Sequence, residues 1–182
     1  DTLQNSYSET TGGALGASYF FDKGRMGISF AKHEQEYGTI LEDASYIDLA
    51  SNNIKYELEM QDLSPLVNKF KIKLSHSDYE HMEIEDGATE LDYFDKGGDA
   101  KFEFVHSLFS QAGGVVGLDL NAFRFSQKNG SFAPNNQRKG LALYTMERFK
   151  VGDHNVTFGI RHDYHDYKAN SFTSDDGAAV AG

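Results

Sequence analysis

Two neighbouring stretches in which apolar and polar residues largely alternate constrain this chain more than any other feature of its sequence. Residues 69–74 run Lys-Phe-Lys-Ile-Lys-Leu, and residues 101–106 run Lys-Phe-Glu-Phe-Val-His. A period of two puts successive side chains on opposite faces of a β-strand. The segment between them, 83–98, is acidic and contains glycine, which predicts a reversal of the chain. The two stretches therefore predict a long β-hairpin with one apolar face and one polar face.

The same alternation recurs on both sides of this hairpin. It predicts about eight antiparallel strands, many of roughly 9–13 residues, and no helix. Short turns are expected at 22–24, 62–68, 110–113 and 151–153, and longer loops at 38–53, 83–98 and 127–138. The strand at 141–149 has apolar residues in both registers, so its faces stay unassigned, and the small, polar tail from Thr173 to Gly182 predicts a loop.

The composition excludes several classes of function. The chain of 182 residues has a formal net charge of -11 and no basic cluster to neutralise phosphates, so nucleic acid is not an expected partner. It contains no cysteine, which excludes disulfides and thiolate metal sites. No apolar run approaches the roughly 20 residues of a membrane helix. The first residues show no signal-peptide pattern, which predicts a processed or excised stretch.

Strand length, turn asymmetry and aromatic placement favour a membrane barrel. Tilted strands cross a bilayer with about 9–11 residues, and outer-membrane barrels have short turns at one end and longer loops at the other. Aromatic residues that would form an interfacial girdle adjoin the short turns at Phe20, Phe21, Phe70, Phe109 and Phe149. From the residues alone, a soluble barrel or sandwich with the apolar face as its core is the alternative.

Strand parity also assigns residues to faces. A turn centred near Ser64 would bring Glu57 and Glu59 opposite the lysines of 69–73, as a charged ladder on the polar face. If the apolar face meets lipid, the residues expected to point out of the barrel are Leu15, Ile28, Leu58, Ile72, Phe104, Leu118 and Ile160.

Four segments together carry a resemblance to a known family. They are GGALGASYFFDKGRMGISFAKHEQEYG at 12–38, DYEHMEIEDG at 78–87, FDKGGDAKFEFVH at 94–106 and GGVVGLDLNAFRFS at 113–126. As an ordered series of strands over about residues 12–167, the chain resembles the barrel of TonB-dependent outer-membrane receptors. Within that family it is most similar to the ZnuD-like zinc receptors.

The resemblance implies a bacterial outer-membrane protein with an up-and-down transmembrane barrel of about 22 strands and a plugged lumen. Residues 1–182 would be a segment of that barrel, with the plug domain and the remaining strands outside this chain. The implied partners are membrane lipid, the plug, the other strands, and the TonB complex, which such receptors engage through an N-terminal part missing here.

The implied activity is energy-coupled uptake of a metal ion or metal chelate, with no resident cofactor. Zinc receptors of this family tend to carry a His-rich loop after the stretch matching 36–38, whereas residues 39–53 contain no histidine. The expected substrate is therefore a metal ion or metal chelate in general, such as a zinc or iron complex, rather than zinc specifically. The alternative is a small closed eight-stranded structural barrel, or a porin-like protein, without energy-coupled transport.

No motif in the chain indicates catalysis, so it is not expected to be an enzyme. Histidines with nearby carboxylates at the loop-ward ends of strands suit zinc or another divalent ion. The candidate metal ligands are His33, Glu34, Glu36, His81, Glu83, His162, Asp163 and His165. For each residue the alternative is an ordinary solvated rim position. His76 and His106 share the parity of apolar neighbours, which predicts a lipid-side or interfacial position.

Overall fold

A computed structural model describes residues 3–40, 44–109, 112–130, 133–173 and 179–180. Its main strands are β1 (Ser8–Phe21), β2 (Gly24–Gly38), β3 (Ser45–Gln61), β4 (Val67–Glu85), β5 (Ala88–Phe109), β6 (Ala112–Lys128), β7 (Asn136–Val151) and β8 (His154–Ala169). They form one eight-stranded sheet in sequence order, each strand antiparallel to the next. The all-β, up-and-down prediction is confirmed. None of these residues lies in a helix long and apolar enough to cross a membrane.

The strands are longer than predicted, at 14 to 22 residues. The predicted loop at 38–53 is wrong in its second half, because β3 already begins at Ser45. The predicted loop at 83–98 is a two-residue turn instead. Asp86 and Gly87 have φ values of 49° and 78°, and two positive φ angles match the twist of a tight hairpin. The hydropathy pattern did not predict these upper parts of β3, β4 and β5 as strand, because most of their residues are polar on both faces.

Three of the predicted connections include residues 41–43, 110–111 and 131–132, which lie outside the described residues. The predicted C-terminal loop is partly wrong. Two short strands, β9 (Phe172–Thr173) and β10 (Ala179–Val180), pair with each other there. We call the end of the sheet with the β1–β2 turn the lower end, and the end with the Asp86-Gly87 turn the upper end.

The register confirms the predicted separation of faces. Glu57 pairs with Lys73 and Glu59 pairs with Lys71, as the alternation predicts. One central row of paired residues runs through Tyr19, Met26, Leu58, Ile72, Phe102, Leu118 and Leu143. All seven residues predicted to point outwards lie on the face of this row, which we call the apolar face. The opposite one is the polar face.

The apolar face has no protein layer over it in the described part of the chain. The one buried hydrophobic residue in the described part is Ala142, on the polar face, whereas on the apolar face Leu15 is 79 % exposed and Ile160 is 60 % exposed. The sheet is also open, because β1 and β8 each pair with a single neighbour. A sheet normally buries its apolar face against a second layer, so this face requires another covering.

The polarity of the two faces exchanges towards the upper end. On β4 the apolar face carries Phe70, Ile72 and Leu74, and then continues with His76, Asp78 and Glu80. The polar face changes in the opposite sense, from lysines at 69–73 to Tyr79 and His81. Below this exchange, the apolar residues of the apolar face form a band across the sheet. On β3 that band spans Ile54–Met60, about 20 Å at about 3.3 Å per residue.

Candidate functional site

Charged side chains cross the polar face opposite the apolar band in two adjacent rows, which we call the ionic belt. One row contains Arg25, Glu59, Lys71, Glu103, Gly117, Tyr144 and Arg161. The other contains Glu57, Lys73, Lys101, Asp119, Ala142 and Asp163. Because paired residues on neighbouring strands point to the same side, the belt extends from β2 to β8.

The β2–β4 part of the ionic belt is a ladder of alternating charge. Lys69 Nζ lies 2.7 Å from Glu59 Oε1, and Lys73 Nζ lies 3.7 Å from Glu57 Oε1. Arg25 lies 3.7 Å from Glu57 and 3.9 Å from Glu59. Partly exposed ion pairs contribute about 0–1 kcal/mol each. The ladder thus adds little stability and presents a surface of fixed, water-facing charges.

The β5–β8 part is organised around Tyr144. Its hydroxyl donates a hydrogen bond of 2.8 Å to Glu103 Oε1, across the intervening strand β6. Lys101 Nζ lies 5.2 Å from the centroid of the tyrosine ring, and the guanidinium carbon of Arg161 lies 5.5 Å from it. Both distances suit cation–π attraction. Tyr144 on β7 therefore links Glu103 and Lys101 on β5 to Arg161 on β8.

These contacts between next-but-one strands each cross a small residue on the strand that lies between the two partners. Gly117 lies between Glu103 and Tyr144, and a Cβ atom at this position would overlap the tyrosine ring. In the same way, Arg161 Nη1 reaches Asp119 at 2.7 Å across the strand that holds Ala142. A bulky residue at either position would keep its two neighbours apart.

The contact over Gly117 leads to a prediction for the folded protein. Gly117→Val should displace the Tyr144 ring and lower the unfolding free energy by about 1 kcal/mol, the usual value of a lost hydrogen bond. Gly13→Val is the matched control, because a Cβ atom there would meet nothing within 4 Å. In a Tyr144→Ala background the Gly117→Val cost should disappear. An equal cost in both backgrounds, measured by denaturant unfolding, would contradict this account.

An aromatic cluster lies on the polar face above the ionic belt and outside the apolar band. It consists of Tyr79, His81, Tyr93 and Phe125, with ring centroids 5.5 Å apart for His81 and Tyr93 and 5.9 Å for Tyr93 and Phe125. The hydroxyl of Tyr79 lies 3.1 Å from His81 Nδ1. Burial raises the pKa of the Tyr79 and Tyr93 phenols, so both stay protonated at neutral pH. The cluster offers π faces and one imidazole.

The predicted metal ligands are divided between the two faces. His33, His81, Glu83, Asp163 and His165 lie on the polar face, whereas Glu34, Glu36 and His162 lie on the opposite one. The structure brings together only His81 and Glu83, at 3.6 Å. In the part of the chain that the structure describes, no three His, Asp or Glu side chains lie together in a way that could hold a metal ion.

Most of the carboxylates among these candidates contact other side chains. Asp163 contacts Arg161 at 2.9 Å, Glu34 contacts Lys32, and Glu36 accepts a hydrogen bond of 3.0 Å from the Tyr7 hydroxyl. Of the three candidate histidines on the polar face, His33 and His81 lie nearer the upper end than His165.

His76 and His106 lie on the apolar face, as their parity predicts. His106 is 7 % exposed, and its Nε2 lies 3.1 Å from Glu147 Oε1. The contact crosses Gly114, where a Cβ atom would overlap the carboxylate. This pair has the same construction as the Tyr144 contact, on the other face of the sheet.

Sequence reasoning missed Lys101, Asp119, Tyr144 and Arg161 as parts of one cluster, and it missed Tyr79, Tyr93 and Phe125. The available signal was the continuation of charge alternation beyond the 54–74 hairpin, at Asp119, Arg161 and Asp163. Chemically, the polar face can attract charged ligands and stack against planar ones.

The chain matches no protein-family model and no curated protein.

Proposed function

We propose that this chain is a segment of a bacterial outer-membrane β-barrel receptor that takes up a metal ion or metal chelate. In this proposal the apolar face meets lipid, the polar face lines the lumen, and the chain is not an enzyme. The partners are the membrane lipid, a plug domain, further barrel strands and the TonB complex.

The proposed location in a membrane rests on one observation: the apolar band is uncovered and lies directly opposite the ionic belt. In a soluble two-layer protein the apolar face packs against a second layer, and large exposed apolar surface promotes association. A bilayer provides the missing cover. On the apolar face of β8, Val156, Phe158, Ile160 and Tyr164, with His162 between the last two, extend over about 26 Å at about 3.3 Å per residue. That length is similar to the roughly 25 Å band of outer-membrane barrels.

The open edges support the larger barrel. Lipid cannot satisfy the unpaired backbone groups of an edge strand, so strands that span membranes close into barrels. β1 and β8 lie at opposite edges of the described sheet. Further strands between them would complete the wall, and the ionic belt would then face an enclosed aqueous space.

The metal part of the proposal is supported by charge and by the upper end of the polar face. The acidic excess, 28 Asp and Glu against 17 Lys and Arg, attracts cations to the protein. His81 with Glu83, and His33, supply donors that divalent ions accept. A tight site needs three or four ligands in fixed geometry, so the plug would contribute the others.

Uptake by the complete protein tests this proposal. Replacing both His33 and His81 with alanine should reduce uptake about tenfold at limiting substrate, as expected for loss of about 1.4 kcal/mol of binding. His154→Ala is the control, because His154 lies beside the lower-end turn at 152–153. Zinc and iron-chelate uptake are measured separately in cells. Undiminished uptake of both by the double variant would remove these histidines from the pathway.

A further inference from the structure

Basic residues collect on the apolar face immediately above the apolar band. One row at this height contains Lys32, Lys96, Arg124 and Lys168, and Lys139 lies in the adjacent lower row. The chain as a whole is acidic, with a net charge of -11. This row of basic residues therefore differs in charge from the protein as a whole.

Two of these cations form no ion pair with a described residue. Lys32 pairs with Glu34, Lys96 with Asp78, and Lys168 with Asp166. In contrast, Arg124 and Lys139 form no ion pair with any residue that the structure describes. They lie on the adjacent strands β6 and β7, one register step apart, and Arg124 pairs directly with Lys96 of β5. Lys96, Arg124 and Lys139 thus lie close together, with two carboxylates beside them: Asp78 pairs with Lys96 and Asp166 pairs with Lys139 in the register.

The same cations surround a shallow concave region of about 360 Å³. Its lining includes His76, Lys96, Ala122, Arg124, Gln137 and Lys139. Small residues continue downwards from it into the apolar band, since Gly98 pairs with Ala122 and Ala100 follows two residues further along β5. The region therefore combines a cationic upper part with a shallow apolar groove beneath it.

We propose that this concave region binds the anionic phosphate headgroup of a membrane lipid, with the acyl chains lying along the groove at Gly98 and Ala100. Arg and Lys form strong charge-assisted hydrogen bonds to phosphate oxygens, and basic pockets at membrane-facing surfaces recognise anionic headgroups. The inference rests on the proposed membrane barrel, because it requires the apolar band to meet lipid. It assigns a specific lipid contact to one sector, β5–β7.

The test uses the complete protein reconstituted into vesicles of phosphatidylcholine with or without phosphatidic acid. The protein is extracted in mild detergent, and the retained lipid is identified by mass spectrometry of the intact complex. Arg124→Gln combined with Lys139→Gln should retain about thirtyfold less phosphatidic acid, since each cation near an anionic lipid surface contributes about a factor of five. Lys55→Gln combined with Lys150→Gln removes the same charge from exposed positions outside this region and should change nothing.

The outcomes separate the two proposals. If the protein inserts but retains phosphatidic acid no better than phosphatidylcholine, the lipid site is overturned and the membrane barrel stands. Equal loss in the control pair would also overturn the site, because net charge alone would then explain retention. Displacement of the lipid by equimolar inorganic phosphate would show that the site binds free phosphate. Failure to associate with either vesicle would overturn both proposals.

Discussion

Refolded alone into detergent or lipid, the 182-residue chain is expected to give no protease-resistant, heat-modifiable monomer. β1 and β8, of 14 and 16 residues, each leave one side of their backbone unpaired. Every unsatisfied backbone group costs several kcal/mol in hydrocarbon, and exposed edges lead to aggregation in water. Semi-native electrophoresis before and after heating measures this result. The complete protein, refolded in parallel, is the positive control.

Two other outcomes of this experiment would change the interpretation. A heat-modifiable monomer would mean that β1 pairs with β8, which supports the small closed eight-stranded barrel without energy-coupled transport. A monodisperse protein in the absence of detergent would support a soluble ligand-binding barrel. In either case the larger barrel would be rejected, because the chain would need no further strands.

In the complete protein, Ile72→Lys should lower the unfolding free energy by about 2–4 kcal/mol. That is the cost of a lysine near the bilayer midplane on the lipid-facing side of a barrel strand. Ile72 lies in the central row of the apolar face, between Leu58 and Phe102. Ser75→Lys on the same strand is the matched control. It lies on the polar face next to Asp99, so its cost should stay within about 0.5 kcal/mol.

The unfolding free energy alone does not show whether lipid or a protein layer covers Ile72. Spin labels at positions 72 and 75 provide the second measurement. We expect lipid-soluble oxygen to reach a label at 72 and a water-soluble quencher to reach one at 75. Equal costs for the two lysine variants, or quencher access at 72, would reverse the assignment of the two faces.

The sequence by itself determined the class of fold, the division of residues between two faces and part of the register. Alternation in 69–74 and 101–106 is a direct record of strand geometry, because successive side chains must point to opposite sides. The turn after Gln61 then paired Glu57 and Glu59 with lysines of β4, since a hairpin fixes its register locally. These features depend on neighbours in sequence, so they are accessible without a structure.

Only the tertiary structure decided where the strands end, which face β7 presents, and which candidate residues meet. The extensions of β3, β4 and β5 have polar residues on both sides, so hydropathy could not distinguish them from loops. Tyr144 and Glu103 meet across Gly117 although they are 41 positions apart. Such a contact depends on the combined register of three strands and on a small residue between them, which no local pattern encodes.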